Sequence, residues 1–413
     1  MKTEECGYWF TLSKDVYVSF NSMSQLLLYN TNSGKSLIIS QPKCIEIVND
    51  VYKPSNLGVI DLEIINPDHE ILQFLDKSIK LGIGLKIEKS VSSNKPINLL
   101  PILNLQNDIE KLKNNGEVYL IGEYLAEYLT SINLFINNEC KQSCIKCDNY
   151  YMQTTSCTRF LKGSSIPIET LEDILSQSAS TQVKKINILG GDITLYPRWN
   201  TLLTLLNEHL FKFHLWFNLH NISDFDYLIN LPFYKEVTVT QPFKRARLED
   251  LISLVEARND FTFNFIVENE VMLKVINELM IPYNRISYEL VPFYNGTNID
   301  FLSNNVFLNE SDIPSETIEM RIIFRNQKLN ANFFGHLTFL PDGQVKANMN
   351  THAIGYFPDN SILELIYEEL TRNTMWRKIR NGGSCSTCMY RYLCPPPGNL
   401  EFALGKQNLC HVK

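Results

Sequence analysis

Between Ser131 and about Asn298 the chain alternates short β-rich apolar runs with helical stretches, and this alternation restricts its fold more than any other feature. The runs are "INLFIN" (132–137), "KINILG" (185–190), "FHLWFN" (213–218), "EVTVTQ" (236–241), "FTFNFIV" (261–267) and "RISYELVPF" (285–293). Between most of them lie stretches such as "IETLEDILSQSA" and "LEDLISLVEAR", whose apolar residues recur at helical spacing. Strand then helix, repeated about six times, predicts parallel strands joined by helical crossovers. Six units fall short of a closed eight-stranded barrel, so the expected α/β fold is a partial (β/α)6 TIM barrel with an open side. In such barrels the chemistry sits at the C-terminal ends of the strands.

The 413 residues leave room for two or three domains, and 44% hydrophobic content is ample for buried cores. Residues 1–105 read as a small α+β unit. "YWFTLSKDVYVSF" and "QLLLYNTNSGKSLIIS" predict short strands around an Asn/Ser/Gly turn, and "QPKCIEIVNDVY" a helix with Pro42 at its start. Residues 106–130 are expected to link this unit to a core over 131–305, and 306–413 form a third region. There "HLTFLPDGQVKAN" predicts a hairpin turning at Asp-Gly and "ILELIYEELTRN" a helix, ahead of a cysteine-rich tail.

The first expected strand runs straight into "NNECKQSCIKCDNY", which puts Cys140, Cys144 and Cys147 within eight residues. Clustered thiols in a chain without a secretion signal point to metal binding rather than disulfides. Three thiolates on a cubane iron–sulfur cluster leave one iron open to a small ligand. A zinc site completed by a distant residue fits the same spacing. The second strand ends in "ILGGDITLYP". There Gly190 and Gly191 let a ligand approach the backbone and Asp192 offers a carboxylate to an ammonium group; an ordinary strand-to-helix turn explains the same residues.

Four of the ten cysteines, Cys385, Cys388, Cys394 and Cys410, crowd the last thirty residues, a set able to hold zinc or a fully ligated [4Fe–4S] cluster. Cys6, Cys44 and Cys157 are scattered and read as small buried hydrophobes, with Cys157 the nearest to the triad. Six histidines (69, 209, 214, 220, 336, 352) fall outside any ligand spacing, whereas His411 is placed to give a metal-bound Cys410 a hydrogen bond. A net charge of −7 argues against a nucleic-acid partner. The opening "MKTEECGYWF" lacks the apolar core of a signal peptide, and no run suits a membrane span, so a cytoplasmic location is expected.

Taken together, the triad and the Gly-Gly-Asp turn resemble the radical S-adenosylmethionine (SAM) superfamily, in which a C-x3-C-x2-C loop holds a [4Fe–4S] cluster and Gly-Gly-Glu meets the amine of SAM. Asp192 stands here for the Glu, with a shorter reach. Lys141 replaces a frequent Asn and Lys146 a frequent aromatic residue, while Asn218 and Thr240 occupy strand ends where relatives place polar contacts to SAM. The tail resembles the SPASM extension of peptide-modifying members, whose pattern is C-x9–15-G-x4-C, then C-x2-C-x5-C-x3-C, then a last Cys. Asn348 lies at the x4 position after Gly343, Gly398 stands for the x3 Cys, and the upstream Cys is absent. The resemblance assigns those three positions to a first auxiliary cluster and the four surviving cysteines to a second. The wording "YRYLCPPPGN…GKQNLCH" is similar to "grasp-with-spasm" maturases, and residues 1–105 resemble the winged-helix element that grips a leader peptide.

The resemblance implies an oxidoreductase-type peptide maturase with two [4Fe–4S] clusters and SAM, acting on a ribosomally made precursor. The product would be a cross-link, an epimer or a desaturation. Its partners would be an electron donor such as flavodoxin or ferredoxin and an ATP-grasp ligase. A sulfatase-maturase-like oxidation of Cys or Ser is the alternative chemistry, and a zinc-stapled peptide-binding adaptor the alternative without catalysis.

Overall fold

The computed structural model describes residues 7–21, 24–91, 94–101, 125–142, 144, 146–158, 165–373 and 375–412. Cys6 and most of the expected linker, 106–124, lie outside the described residues. Among the described residues, no helix is long and apolar enough to cross a membrane.

The N-terminal unit contains six strands: β1 (Tyr8–Leu12), β2 (Val16–Phe20), β3 (Leu26–Asn30), β4 (Ser36–Ile39), β5 (Val59–Asp61) and β6 (Gly84–Glu88). They form two antiparallel sheets, β5-β1-β6 and β2-β3-β4. The expected turn joins β3 to β4, with Gly34 at φ +70° and Asn30 Oδ1 accepting the amides of Asn32 and Ser33. The expected helix is Pro42–Tyr52, and Cys44 is buried in it as read. A second helix, His69–Lys80, is capped by Asp68, whose carboxylate accepts the Ile71 amide at 3.1 Å.

Successive residues of β2 and β3 serve two different cores, because side chains alternate across a strand. Val16, Val18, Leu26 and Leu28 pack with the two helices around Phe10 and Phe74. Tyr17, Leu27 and Tyr29 point the other way, onto Ile313, Ile323, Met389, Tyr390 and Leu393. The Tyr29 hydroxyl accepts the Ile318 amide at 2.8 Å, which fixes that junction. Burial on both faces explains the unbroken apolar run "LLLY".

All six strands expected in the core form: β7 (Ser131–Phe135), β8 (Lys185–Leu189), β9 (Lys212–Asn218), β10 (Tyr234–Val239), β11 (Phe261–Val267) and β12 (Ser287–Pro292). They lie side by side in chain order, all parallel. Helices Ile168–Ser178 and Arg245–Val255 appear where the periodicity puts them. The hairpin after residue 335 is also present, β13 (His336–Phe339) with β14 (Gln344–Lys346), and Gly343 takes φ +83° in its turn. Its placement was not legible: β13 pairs in parallel with the outer edge of β7, and β15 (Gly355–Tyr356) completes a nine-stranded sheet. The sheet thus runs across the expected boundary at 305/306. The last expected helix is α-helical over Ile362–Glu368 and closes in a π-helical turn, Glu369–Asn373.

One face of the sheet is apolar. Ile132, Leu134, Ile186, Ile188, Leu215, Val237 and Phe263 pack there against the crossover helices. The opposite face is mostly buried and mixes an apolar cluster of Phe135, Leu189 and Trp216 with bonded polar side chains. Asn187 donates to Asn133 Oδ1 (2.7 Å) and accepts from Trp216 Nε1 (3.0 Å), Asn133 donates to Thr338 (3.3 Å), and Glu236 accepts from Asn264 (3.0 Å) and bonds His214 (2.8 Å). Buried amides and carboxylates are tolerated only when bonded in this way. These bonds satisfy polar groups that the sheet places out of water.

Candidate functional site

The triad loop leaves β7 at its C-terminal end and is locked to the turn that follows β8. Gly191 N–H reaches the Asn137 carbonyl at 3.3 Å, Asp192 N–H reaches the Glu139 carbonyl at 2.6 Å, and Asn137 Nδ2 returns a bond to the Asp192 carbonyl at 2.8 Å. A Cβ on Gly190 would stand 2.2 Å from Asn137 Oδ1, and one on Gly191 would stand 2.2 Å from the Glu139 carbonyl oxygen. The two glycines are therefore required by the cysteine loop itself. The sequence left either a ligand or an ordinary turn to explain their openness; in the structure the Asn137 side chain and the Glu139 backbone come close to them.

Each cysteine-bearing segment is held from a different side. Asn221 Nδ2 lies 3.6 Å from Cys140 Sγ, and Gln142 Nε2 donates to the His220 carbonyl at 3.2 Å. Cys147 opens the helix Cys147–Gln153 and is buried. Lys146 forms an ion pair with Glu268, just past β11, and its ammonium lies 5.8 Å from the Phe293 ring. Glu268 also takes a bond from Asn295 Nδ2 at 3.0 Å. Lys146 thus ties the loop to the far strands, a role the sequence did not supply.

Asp192 uses one oxygen, Oδ1, to accept Thr194 N–H (3.1 Å) and its hydroxyl (2.7 Å), and among the described residues Oδ2 takes no bond. That oxygen is available to a cation. Asn218 and Thr240 are buried at the ends of β9 and β10 and bond each other at 3.3 Å; Asn218 Oδ1 also accepts the His220 amide at 3.0 Å. Cys157 joins this group, with Asn218 Nδ2 3.7 Å from its sulfur. Burial pushes the Cys157 thiol up to about 12, and proximity to Cys147, Cys144 and Cys140 adds to the rise. The scattered Cys157 of the sequence is in fact a neighbour of the triad.

The tail thiols also share one neighbourhood. Cys385, Cys388 and Cys410 line a cavity of about 290 Å³, with Asn21, Gln25 and Ile38 of the N-terminal unit on its other side. Burial pushes the Cys394 thiol up to about 12; Arg380 opposes the shift, and Cys388, Cys410 and Cys385 reinforce it. Burial likewise raises Cys385 and Cys388. Metal capture there must displace protons, so it is favoured as pH rises. The hydrogen bond to Cys410 Sγ comes from Asn408 Nδ2 at 3.1 Å, not from His411. The His411 ring instead bonds the Ser303 carbonyl at 2.9 Å, because its backbone is drawn away by pairing with Leu308.

Arg380 staples this region together. It donates to the Pro395 carbonyl (2.8 Å), the Gln407 carbonyl (3.0 Å) and buried Glu401 (2.7 Å). Replacing Arg380 by Met should destabilise the protein by about 3–5 kcal/mol, since it leaves Glu401 as an unpaired buried charge. Chemical denaturation of the purified variant measures this, and a loss below about 1 kcal/mol would mean that Glu401 is solvated after all.

Of the two positions where the resemblance places cysteines of the first auxiliary site, Asn348 belongs to an amide network and Gly398 gives its amide to Glu401 at 2.8 Å. Asn348 Nδ2 donates to Asn399 Oδ1 (2.8 Å), Asn350 Nδ2 to the same oxygen (3.1 Å), and Asn332 Nδ2 to the Pro396 carbonyl (3.0 Å). No thiol is present there, and hydrogen bonds hold the segments that a cluster would have held.

Among the described residues, no three Cys, His, Asp or Glu side chains converge as the ligands of one metal ion. Thiolates are ligands for zinc as well as for iron–sulfur clusters. A cubane spreads its thiolates over several irons and needs no common point. Three soft donors on one locked loop, and three around one cavity with Cys394 close by, fit that donor chemistry.

No family model and no curated protein matches the chain. Among solved structures it is similar to Streptococcus suis SuiB bound to S-adenosylmethionine, at 12% identity and TM-score 0.50, over 96% of this chain and 97% of that one. It is also similar to SuiB bound to precursor peptide SuiA, at 14% identity and TM-score 0.48, over 98% and 99% of the two chains. The former likeness shows a shared α/β fold with a large, mostly parallel sheet along nearly the whole chain.

Proposed function

We propose that the chain is a radical SAM enzyme that modifies a ribosomally made precursor peptide. The observation that carries this reading is the interlock of the loop carrying Cys140, Cys144 and Cys147 with the turn at Gly190, Gly191 and Asp192, which packs Cys140 against that turn and leaves one Asp192 oxygen unused among the described residues. The likeness to SuiB, a radical SAM peptide maturase with a structure bound to S-adenosylmethionine, supports the reading at the level of the fold. In this reading residues 131–305 form a partial (β/α)6 radical SAM core, 306–413 a SPASM-like tail, and the N-terminal unit a winged-helix-like leader-binding domain.

When bound, the [4Fe–4S] cluster and SAM supply the electron and the 5′-deoxyadenosyl radical that removes a hydrogen atom from a peptide C–H. Cys140, Cys144 and Cys147 would hold the cluster, Asp192 Oδ2 would receive the ammonium of SAM, and Asn218 and Thr240 would contribute polar contacts to SAM. Lys146 and Glu268 hold the loop across the sheet so that its geometry survives binding. Cys385, Cys388, Cys394 and Cys410 hold the auxiliary [4Fe–4S] cluster. With four protein ligands that cluster leaves no iron for substrate, so it serves electron transfer or structure. Reduced, cluster-loaded protein should release 5′-deoxyadenosine from SAM, and chromatography of the quenched reaction decides it. A fully loaded protein that releases none would overturn the radical reading.

Strands β4 and β6 are each paired on one side only among the described residues, so either edge can accept a leader peptide as an added strand. Removing the whole N-terminal unit would uncover the core around Met389 and Tyr390, so a surface charge makes the cleaner test. Leu85→Lys alters an exposed edge side chain of β6, away from the tail cysteines, at little expected cost in stability. A fluorescein-labelled precursor peptide should bind the variant several-fold more weakly by anisotropy, and unchanged affinity would place the leader elsewhere.

A further inference from the structure

The mixed face of the sheet bounds a cavity of about 270 Å³ where β13, β7 and β8 meet the tail. Its floor is Asn133, Asn187 and Thr338, already bonded to one another or to Trp216. Its wall toward the triad is Tyr151, Thr154 and Thr155, at the end of the helix that Cys147 opens and just beyond it. Its opposite wall is the amide network of Asn332, Asn348 and Asn399. The cavity therefore reaches from the cluster loop to the positions where thiols are missing.

Several polar groups on these walls have no partner among the described residues. They are the Tyr151, Thr154 and Thr155 hydroxyls, Asn332 Oδ1 and Asn399 Nδ2. An amide offers two donors and two acceptor lone pairs and a hydroxyl one donor and two, so both bonding senses are on offer. The lining at this end is uncharged; the one ammonium, on Lys185, sits at the opposite end of β8, 3.9 Å from Glu236. Such a surface suits a neutral group that both donates and accepts. Phe135, Leu189, Ala347 and Met349 also line the cavity, so they meet the apolar stem of such a side chain; a wholly apolar group would leave the hydroxyls and amides unbonded, and a carboxylate would find Lys185 and His336 only at the far end.

We propose that this cavity receives an amide or hydroxyl side chain of the peptide at or next to the residue being modified. The proposal rests on the peptide-modifying reading above and adds the class of side chain. Binding can be tested without a known precursor, using the N-acetyl methylamides of asparagine, glutamine, serine, threonine, leucine, valine and phenylalanine. Saturation-transfer NMR on the full-length, cluster-loaded protein should show transfer to members of the first four at millimolar concentration and not to the last three. Tyr151→Phe combined with Thr155→Val removes two hydroxyls at nearly constant shape, and should weaken the polar probes roughly ten-fold, as expected for two neutral hydrogen bonds. Equal transfer to the apolar probes, no transfer to any probe (a cavity that holds water only), or binding indifferent to the double variant would each overturn it. Release of 5′-deoxyadenosine by the unsubstituted protein is measured on the same preparation. Its absence would remove the radical reading, whereas its presence beside a negative probe panel would remove only this assignment.

Discussion

Cys144→Ala should abolish 5′-deoxyadenosine release while leaving the fold intact. Cys144 sits on the loop between β7 and the helix opened by Cys147, and it is only partly buried, so its loss removes little core. A three-thiolate site has no spare ligand: two thiolates and an open iron cannot hold a cubane against reductant and chelator. The expected fall is roughly a thousandfold or more, to the background of free cluster, as for removal of a group on which the whole barrier reduction depends. Cys44→Ala, in the N-terminal core, is the matching control and should keep its activity. Circular dichroism separates lost chemistry from lost fold. Persisting release from Cys144→Ala would mean that another group, for which Cys157 is the nearest thiol candidate, completes the site.

The second large effect is in metal content. Two cubanes per chain imply about eight irons rather than about twelve, at four irons per cluster. Replacing Cys140, Cys144 and Cys147 together should leave about four irons, with an EPR signal that SAM does not change. Cys410→Ala should instead lose the tail cluster, because it removes the ligand that closes the C-terminal loop. A structural consequence follows that activity does not report. Met389, Tyr390 and Leu393, between Cys388 and Cys394, form the floor on which Tyr17, Leu27 and Tyr29 rest. Loss of the tail metal should therefore raise amide exchange across β2 and β3. Iron near twelve would mean that non-cysteine ligands rebuild the first auxiliary site around Asn348, and zinc in the tail would make that site purely structural.

Much of this was legible before the structure. The six parallel strands and their order came from alternation alone, since a period of two between helical stretches admits few other arrangements. The loop and the turn were correctly placed at adjacent strand ends, and the tail cysteines do share a neighbourhood. Long-range pairing was not legible: nothing in "HLTF" says that it joins β7 more than two hundred residues upstream. The mixed face was missed although its signal is present. Asn133 and Asn187 interrupt "INLF" and "KINIL" at register-paired positions, so polar residues at every second place within apolar strands mark a buried hydrogen-bonding face. Cys157 gave too little signal, because its proximity to the triad depends on the Thr158 amide bonding the Gly190 carbonyl. The close approach of Asn137 and Glu139 to Gly190 and Gly191 was not legible for a similar reason: a glycine shows that something comes close, not what it is.

The strand β3, buried on both faces, sets a limit on how such proteins can be recombined. A leader-binding unit that merely hung from a linker could be exchanged between maturases to redirect them to new precursors. Here a donor unit would have to bring counterparts of Tyr17, Leu27 and Tyr29 that fit the recipient's tail loop, and of the Tyr29 hydroxyl that accepts the Ile318 amide. Chimaeras cut in the 102–124 segment should accordingly fail unless the tail loop travels with the N-terminal unit, so the two ends of this chain form one inheritable block.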